Sequence, residues 1–157
     1  MKELLIDDNQ ANELIKLMKR VLEKHNKTLL NNSRGEIILI GDNQEKFILN
    51  YFYSHHSKVI HLREGKNNYT LLRINLNNKF HKNANREIIQ GNRINVFSEE
   101  EYYEKGDGKT HYKCYPLPFD SISNSDDFMQ VFKQLLDFTK VKNPQRVDFN
   151  IQDTLFN

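Results

Sequence analysis

The sequence predicts an α+β domain: an antiparallel sheet of about six strands, flanked by an N-terminal and a C-terminal helix packed on one face. Three features of the 157 residues lead there. Apolar residues recur at three- and four-residue spacing only near the ends, over residues 8–27 and 125–141. From Glu36 to Leu117 the period is two. Turn clusters such as Gly41-Asp42-Asn43 and Gly65-Lys66-Asn67-Asn68 allow hairpins but leave no room for crossover helices.

In the first helix Leu14, Ile15, Met18, Val21 and Leu22 form the apolar stripe, Asp7 or Asp8 caps the first turn, and Lys24 and Lys27 suit the C-terminal dipole. The expected strands are Glu36–Ile40, Lys46–Tyr53, Lys58–Arg63, Tyr69–Leu76, Asn92–Phe97 and His111–Leu117. Residues 77–91 read as a polar loop, and SEEEYYEKGDGK as an acidic excursion between the last two strands. Pro116 and Pro118 end the sheet, because proline has no N–H to donate. Ser125 caps a second helix over Asp126–Val141, with Phe128, Val131, Phe132, Leu135, Leu136 and Thr139 on its buried side. Asn143-Pro144 stops it. Residues 142–157 are a tail whose Leu155-Phe156 either packs onto the domain or serves as a small contact point.

The length fits one domain, 1–157, and 38% hydrophobic residues support a modest core. The longest apolar run is four residues, Ile37 to Ile40, so no membrane span is expected. The start MKELLIDDNQ lacks a basic leader, and one cysteine, Cys114, excludes an internal disulfide; a cytoplasmic location is expected. Abundant asparagine and lysine reflect an AT-rich genome, such as that of a low-GC bacterium or its phage.

The net charge of +2 conceals an asymmetry. Residues 51–97 hold eight Lys/Arg against Glu64 and Glu87, a net of +6, and residues 98–157 hold a net of −4. Such a dipolar chain steers an anionic partner to one surface. Strand alternation says which side chains are available. If Leu72, Ile74, Leu76, Ile94 and Val96 face the helices, then Arg73, Asn75, Arg93 and Asn95 face outward. In the Lys58 strand either Ile60 and Leu62 or Val59 faces in, and the first choice exposes His61 and Arg63. His111 and Lys113 share one side of the last strand. Together these eight residues form a cationic band suited to phosphate or carboxylate oxygens. The plainer reading is an ordinary wet sheet face whose charges pair with the acidic C-terminal third.

Other chemistries find little support. His111-x-x-Cys114 points to opposite faces of a strand, and neither CxxC, HExxH nor GxSxG is present. Gly106-Asp107-Gly108-Lys109 neither follows a buried parallel strand nor opens a helix. No metal or cofactor is expected.

From Tyr69 to Pro118 the chain reads LLRINL, FHKNANREIIQGNRINVF and YKCYPLP. This resembles a bacterial and phage family, catalogued as a domain of unknown function, with the pattern LLRLD, HTNPDG, HxHxY, WAYPLP. Leu71-Leu72-Arg73, His81 with Asn83, and Tyr115-Pro116-Leu117 match. Asn75 stands at the family's aspartate, and Arg93 and Asn95 stand at its two histidines. The resemblance implies a metal or acid–base centre in relatives, of which this chain keeps His81.

The expected function is a non-catalytic binding protein of a bacterial, phage or mobile-element system, presenting its cationic sheet face to nucleic acid or another phosphate-bearing ligand. Tyr51, Phe52, Tyr53 and Tyr69 are candidates to stack bases. One alternative is a small ribonuclease-like toxin using His81 or His61 with Arg73 and Arg93. Another is an inhibitor docking on a host nucleic-acid-binding protein through an acidic loop, Glu99, Glu100, Glu101, Tyr102, Tyr103 and Glu104, in imitation of a nucleic-acid strand.

Overall fold

The computed structural model describes residues 1–152. Its centre is a seven-stranded antiparallel sheet in the order β1-β3-β4-β5-β6-β9-β10. The strands are β1 (Lys19–Val21), β3 (Ser33–Gly41), β4 (Lys46–Tyr53), β5 (Lys58–Glu64), β6 (Thr70–Leu76), β9 (Arg93–Phe97) and β10 (Tyr112–Pro116). Two ribbons complete the β structure. β2 (His25–Leu29) pairs in parallel with β11 (Val147–Ile151), and β7 (Phe80–Lys82) pairs with β8 (Ile88–Gln90). The helices are α1 (Asp8–Lys16), α2 (Glu99–Lys105) and α3 (Phe128–Phe138).

The core lies on one face of the sheet. Leu39, Leu49, Tyr51, Tyr53, Ile60, Leu62, Leu72, Ile74 and Ile94 meet Ala11 and Ile15 of α1 and Phe128, Val131, Phe132, Leu135 and Leu136 of α3. Edge-on ring contacts join Tyr51 and Tyr53 to Phe128, Phe132 and Phe149. Tyr51 stands directly opposite Gly35 and its ring fills the space above that residue; a Cβ there would lie 2.1 Å from the Tyr51 hydroxyl oxygen. In β5, Ile60 and Leu62 face inward.

The first helix is much shorter than periodicity predicts. Asp7 and Gln10 close a capping box, but the helix ends at Lys16 and the chain continues as β1 and β2. Lys19 explains the stop. Its side chain is fully buried, and Nζ donates to the carbonyls of Ile15, Leu17 and Thr139 at 2.8, 2.8 and 2.9 Å, above the Phe47 ring. One ammonium thus caps the C-terminal ends of α1 and α3 together. Lys19–Val21 also pairs with Leu39–Gly41, so a sheet edge overrides helical preference. Met18 and Leu22, expected in the apolar stripe, are exposed.

Further corrections share this tertiary origin. α3 is capped by Asp127, while the Ser125 hydroxyl accepts the Asp127 N–H. The expected tail contributes a 3₁₀ turn, Pro144–Arg146, and then β11; Leu155-Phe156 lie outside the described residues. The 77–91 loop is the β7–β8 hairpin, and the acidic excursion opens with α2. No helix among the described residues is long and apolar enough to cross a membrane.

Burial draws the Lys19 ammonium down to about 7. Lys19→Met leaves three carbonyls without a donor and lowers unfolding free energy by about 3 kcal/mol. Gly35→Ala forces Tyr51 aside and costs about 2 kcal/mol. Urea unfolding at pH 7 checks both.

Candidate functional site

The outer face of the sheet is ordered in rows by its register. Arg34, Phe52, Val59, Asn75 and Arg93 are cross-strand partners in one row. Glu36, Asn50, His61, Arg73, Asn95 and Cys114 form the next. Ile38, Ile48, Arg63 and Thr70 form the third. Thr70 joins this face through a bulge: Leu62 pairs with Leu72 but Arg63 with Thr70, leaving Leu71 as the extra residue. Strict alternation would place Thr70 on the opposite side from Arg73.

Six of the eight predicted band residues therefore share the face: His61, Arg63, Arg73, Asn75, Arg93 and Asn95. Lys113 does not. It pairs with Val96, which pairs with Leu72, so it stands on the helical side. His111 precedes β10 and works from the sheet's end. Its Nε2 accepts the Thr70 backbone N–H at 2.8 Å and its Nδ1–H donates to the Lys109 carbonyl, which fixes the tautomer.

The face divides into a roofed part and an open part. Arg93 Nη1 donates to Asn77 Oδ1, the Gly91 carbonyl and the Lys79 carbonyl at 2.7, 2.9 and 3.2 Å, holding the neck of the β7–β8 hairpin. The Asn83 amide pairs with both backbone groups of Cys114, donating to its carbonyl at 2.9 Å and accepting its N–H at 3.0 Å. Asn75, Arg93, Asn95 and Cys114 are consequently buried, and no described residue bonds the buried Asn95 Oδ1. His81 lies on the hairpin beside Tyr112, outside the open part; burial lowers its pKa, with Lys105 adding to the effect. The three positions where the family pattern fails, 75, 93 and 95, are neighbours beneath this roof.

The open part is a shallow concavity of about 660 Å³ lined by Arg34, Phe52, Val59, His61, Arg63 and Arg73, with Asn50, Asn68 and Thr70 among them. Among the described residues no carboxylate lines it; Glu36, which accepts from Asn50 Nδ2 at 3.3 Å, stands at its border. The Arg63 guanidinium is held by Asn50 Oδ1, at 2.6 and 3.1 Å, and by Asn68 Oδ1. Arg34 lies over the Phe52 ring at 4.6 Å, and Arg73 makes a long contact of 3.4 Å to Asn75 Oδ1. Among the described residues none of these arginines forms an ion pair; the pair that forms joins Lys142 to Asp42. Among the described residues, the acidic C-terminal third forms no ion pair with these arginines.

His61 bonds Thr70 Oγ1 at 2.7 Å. Burial, then the charges of Arg73, Arg63 and His111, lowers its pKa to about 4. It is uncharged at neutral pH.

Two expected features lie elsewhere. Tyr51 and Tyr53 belong to the core, and Tyr69 packs on Phe97 and His111, which leaves Phe52 as the aromatic of the open face. The acidic strip is helical, not a loop. Glu101 is buried and accepts the Ala84 N–H, Tyr102 is buried, and Glu99 exchanges backbone caps with Asp8 of α1. The strip is not displayed as one surface.

Because the unfolded chain carries an ordinary histidine, it binds more protons than the native state as pH falls from about 6.5 to about 4. Native stability drops through that window. His61→Gln makes the drop shallower, as urea midpoints at pH 7 and pH 4.5 would show.

A family model described as a family of unknown function, DUF6978, matches residues 6–141. No curated protein and no solved structure matches the chain. A match over most of the length, from before α1 to beyond α3, places the chain in that family: this protein is a member of DUF6978.

Proposed function

We propose that this protein binds a phosphate-bearing partner, nucleic acid foremost, on the open face of its central sheet, without transforming it. A single observation carries the reading: Arg34, Arg63 and Arg73 converge on one concavity that no carboxylate among the described residues lines. Like charges brought to one concavity raise the energy of the free protein, with Glu36, beside Asn50 on the same face, as the neighbouring carboxylate, and an anion relieves that repulsion when it binds. Guanidiniums supply paired donors that match phosphate oxygens. Arg63 is pre-oriented by two asparagines, so it loses little side-chain freedom on binding.

The supports for binding outweigh those for catalysis. Transfer through a ribonuclease-like mechanism calls on an acid and a base. Of the two histidines considered for those roles, His61 lines the concavity and His81 sits on the hairpin. His61, with a pKa of about 4, is a weak base near neutral pH.

The test is binding of fluorescent RNA and DNA oligonucleotides, followed by anisotropy over a salt series. Three phosphate contacts give a slope of about −2 in log K against log salt. Changing Arg34, Arg63 and Arg73 together to glutamate removes binding while leaving the unfolding midpoint close to that of the parent. Oligonucleotide binding that is absent at low salt, or unchanged in the triple variant, overturns the reading.

A further inference from the structure

We infer that the partner is single-stranded nucleic acid, and that one of its bases is unpaired and stacked at Phe52. The inference rests on the reading above and makes it specific. Four observations carry it.

First, Phe52 is the aromatic whose side chain projects onto the open face: Tyr51 also borders the concavity, but its ring is buried in the core, and Tyr53 and Tyr69 lie elsewhere. Second, its cross-strand partner is Arg34, whose guanidinium lies over the ring at 4.6 Å. This stacked pair offers a flat π and cation surface, and bases of single strands stack on aromatic rings and on guanidinium planes alike. Val59, opposite Phe52 on β5, extends the apolar patch. Third, groups that can meet base edges and sugar hydroxyls border the patch: Asn50, Asn68, His61 and Thr70. Fourth, the arginines are distributed around the patch rather than gathered at one point. Arg34 is in the Phe52 row, Arg73 one row along and Arg63 a row beyond. Rows are about 7 Å apart and neighbouring strands about 4.8 Å apart. Arg63 and Arg73, on adjacent strands, can therefore meet neighbouring phosphates, and Arg34, three strands from Arg73, meets a phosphate farther along an extended strand that crosses the patch.

This geometry disfavours a duplex. Paired bases hide their faces in the stack, and reading them requires an element that enters a groove. The concavity lies on the face of the sheet, with no element that projects from it to enter a groove, and Phe52 is half-buried within it. It also separates the ligand from inorganic phosphate, which would use the arginines and ignore the ring.

The test compares four probes by anisotropy or competition: a single-stranded RNA 12-mer, the DNA 12-mer of the same sequence, the corresponding DNA duplex, and inorganic phosphate as competitor. Single strands of either sugar type are expected to bind at least ten-fold more tightly than the duplex, with phosphate a poor competitor. Phe52→Ala weakens single-strand binding about ten-fold, whereas Phe52→Trp retains it. A 2-aminopurine base placed in the strand loses fluorescence on binding to the parent and keeps it with Phe52→Ala. The salt slope stays at about −2 in Phe52→Ala, because phosphate contacts remain. If the arginine triple variant abolishes binding but Phe52→Ala does not weaken it, the stacked base is refuted and the phosphate-binding face stands. If the duplex binds as tightly as the single strand, single-strand selectivity is refuted. If none of the probes binds, both readings fall.

Discussion

Direct cross-strand pairing of Asn50, His61, Arg73 and Asn95 is the constraint on which the rest of the molecule depends. A side chain on a strand has only two directions, and a one-residue slip exchanges them for the whole strand. In this register Leu49, Leu62, Leu72 and Ile74 enter the core beneath α3 and the arginines remain outside. A slip of β5 or β6 would bury guanidiniums against Phe128 and Phe132, at a cost far above any local contact. Burial of the apolar face and assembly of the cationic face are therefore one event.

The bulge at Leu71 and the buried Lys19 act as fixed points on that register. Leu71 re-phases β6, so that Thr70 reaches His61 and its N–H reaches His111. Lys19 fastens α1, β1 and the end of α3 through three carbonyls, which keeps the helical layer over one face. The β7–β8 hairpin then closes part of the other face, over Asn75, Arg93 and Asn95. Arg93 donates through Nη1 to the hairpin's neck, and Asn83 completes the edge of β10, protecting a strand that would otherwise offer free backbone groups. What remains open is bounded by β3, β4, β5 and β6.

Much of this was legible in the residues and some was not. The strands from Glu36 to Leu76 carry their own alternation, so Arg73 could be assigned outward from sequence, and His61 and Arg63 to a common side that the burial of Ile60 and Leu62 then fixes as the same one. The end of α1 could not, because Met18, Val21 and Leu22 continue a helical pattern that only the pairing of Lys19–Val21 with β3 overrules. Lys113 was misplaced for a related reason: a five-residue strand with Cys114 at its centre gives no clear polar side. Roofing of Arg93 and Asn95 depends on Asn83 reaching Cys114 across 31 positions, a contact with no local signature. Of the four candidate stacking aromatics Tyr51, Phe52, Tyr53 and Tyr69, the period of two in KFILNYFY, anchored on the buried Leu49, puts Tyr51 and Tyr53 in the core and Phe52 outside.

The account stands on three guanidiniums that meet solvent together and wait for an anion. Arginine side-chain NMR resonances, followed while a single-stranded oligonucleotide is added, address it directly. The account predicts shifts confined to Arg34, Arg63 and Arg73, with Arg93 unmoved beneath its hairpin. Shifts centred instead on Arg20, Arg86 or Arg146, or none at saturating oligonucleotide, would contradict it.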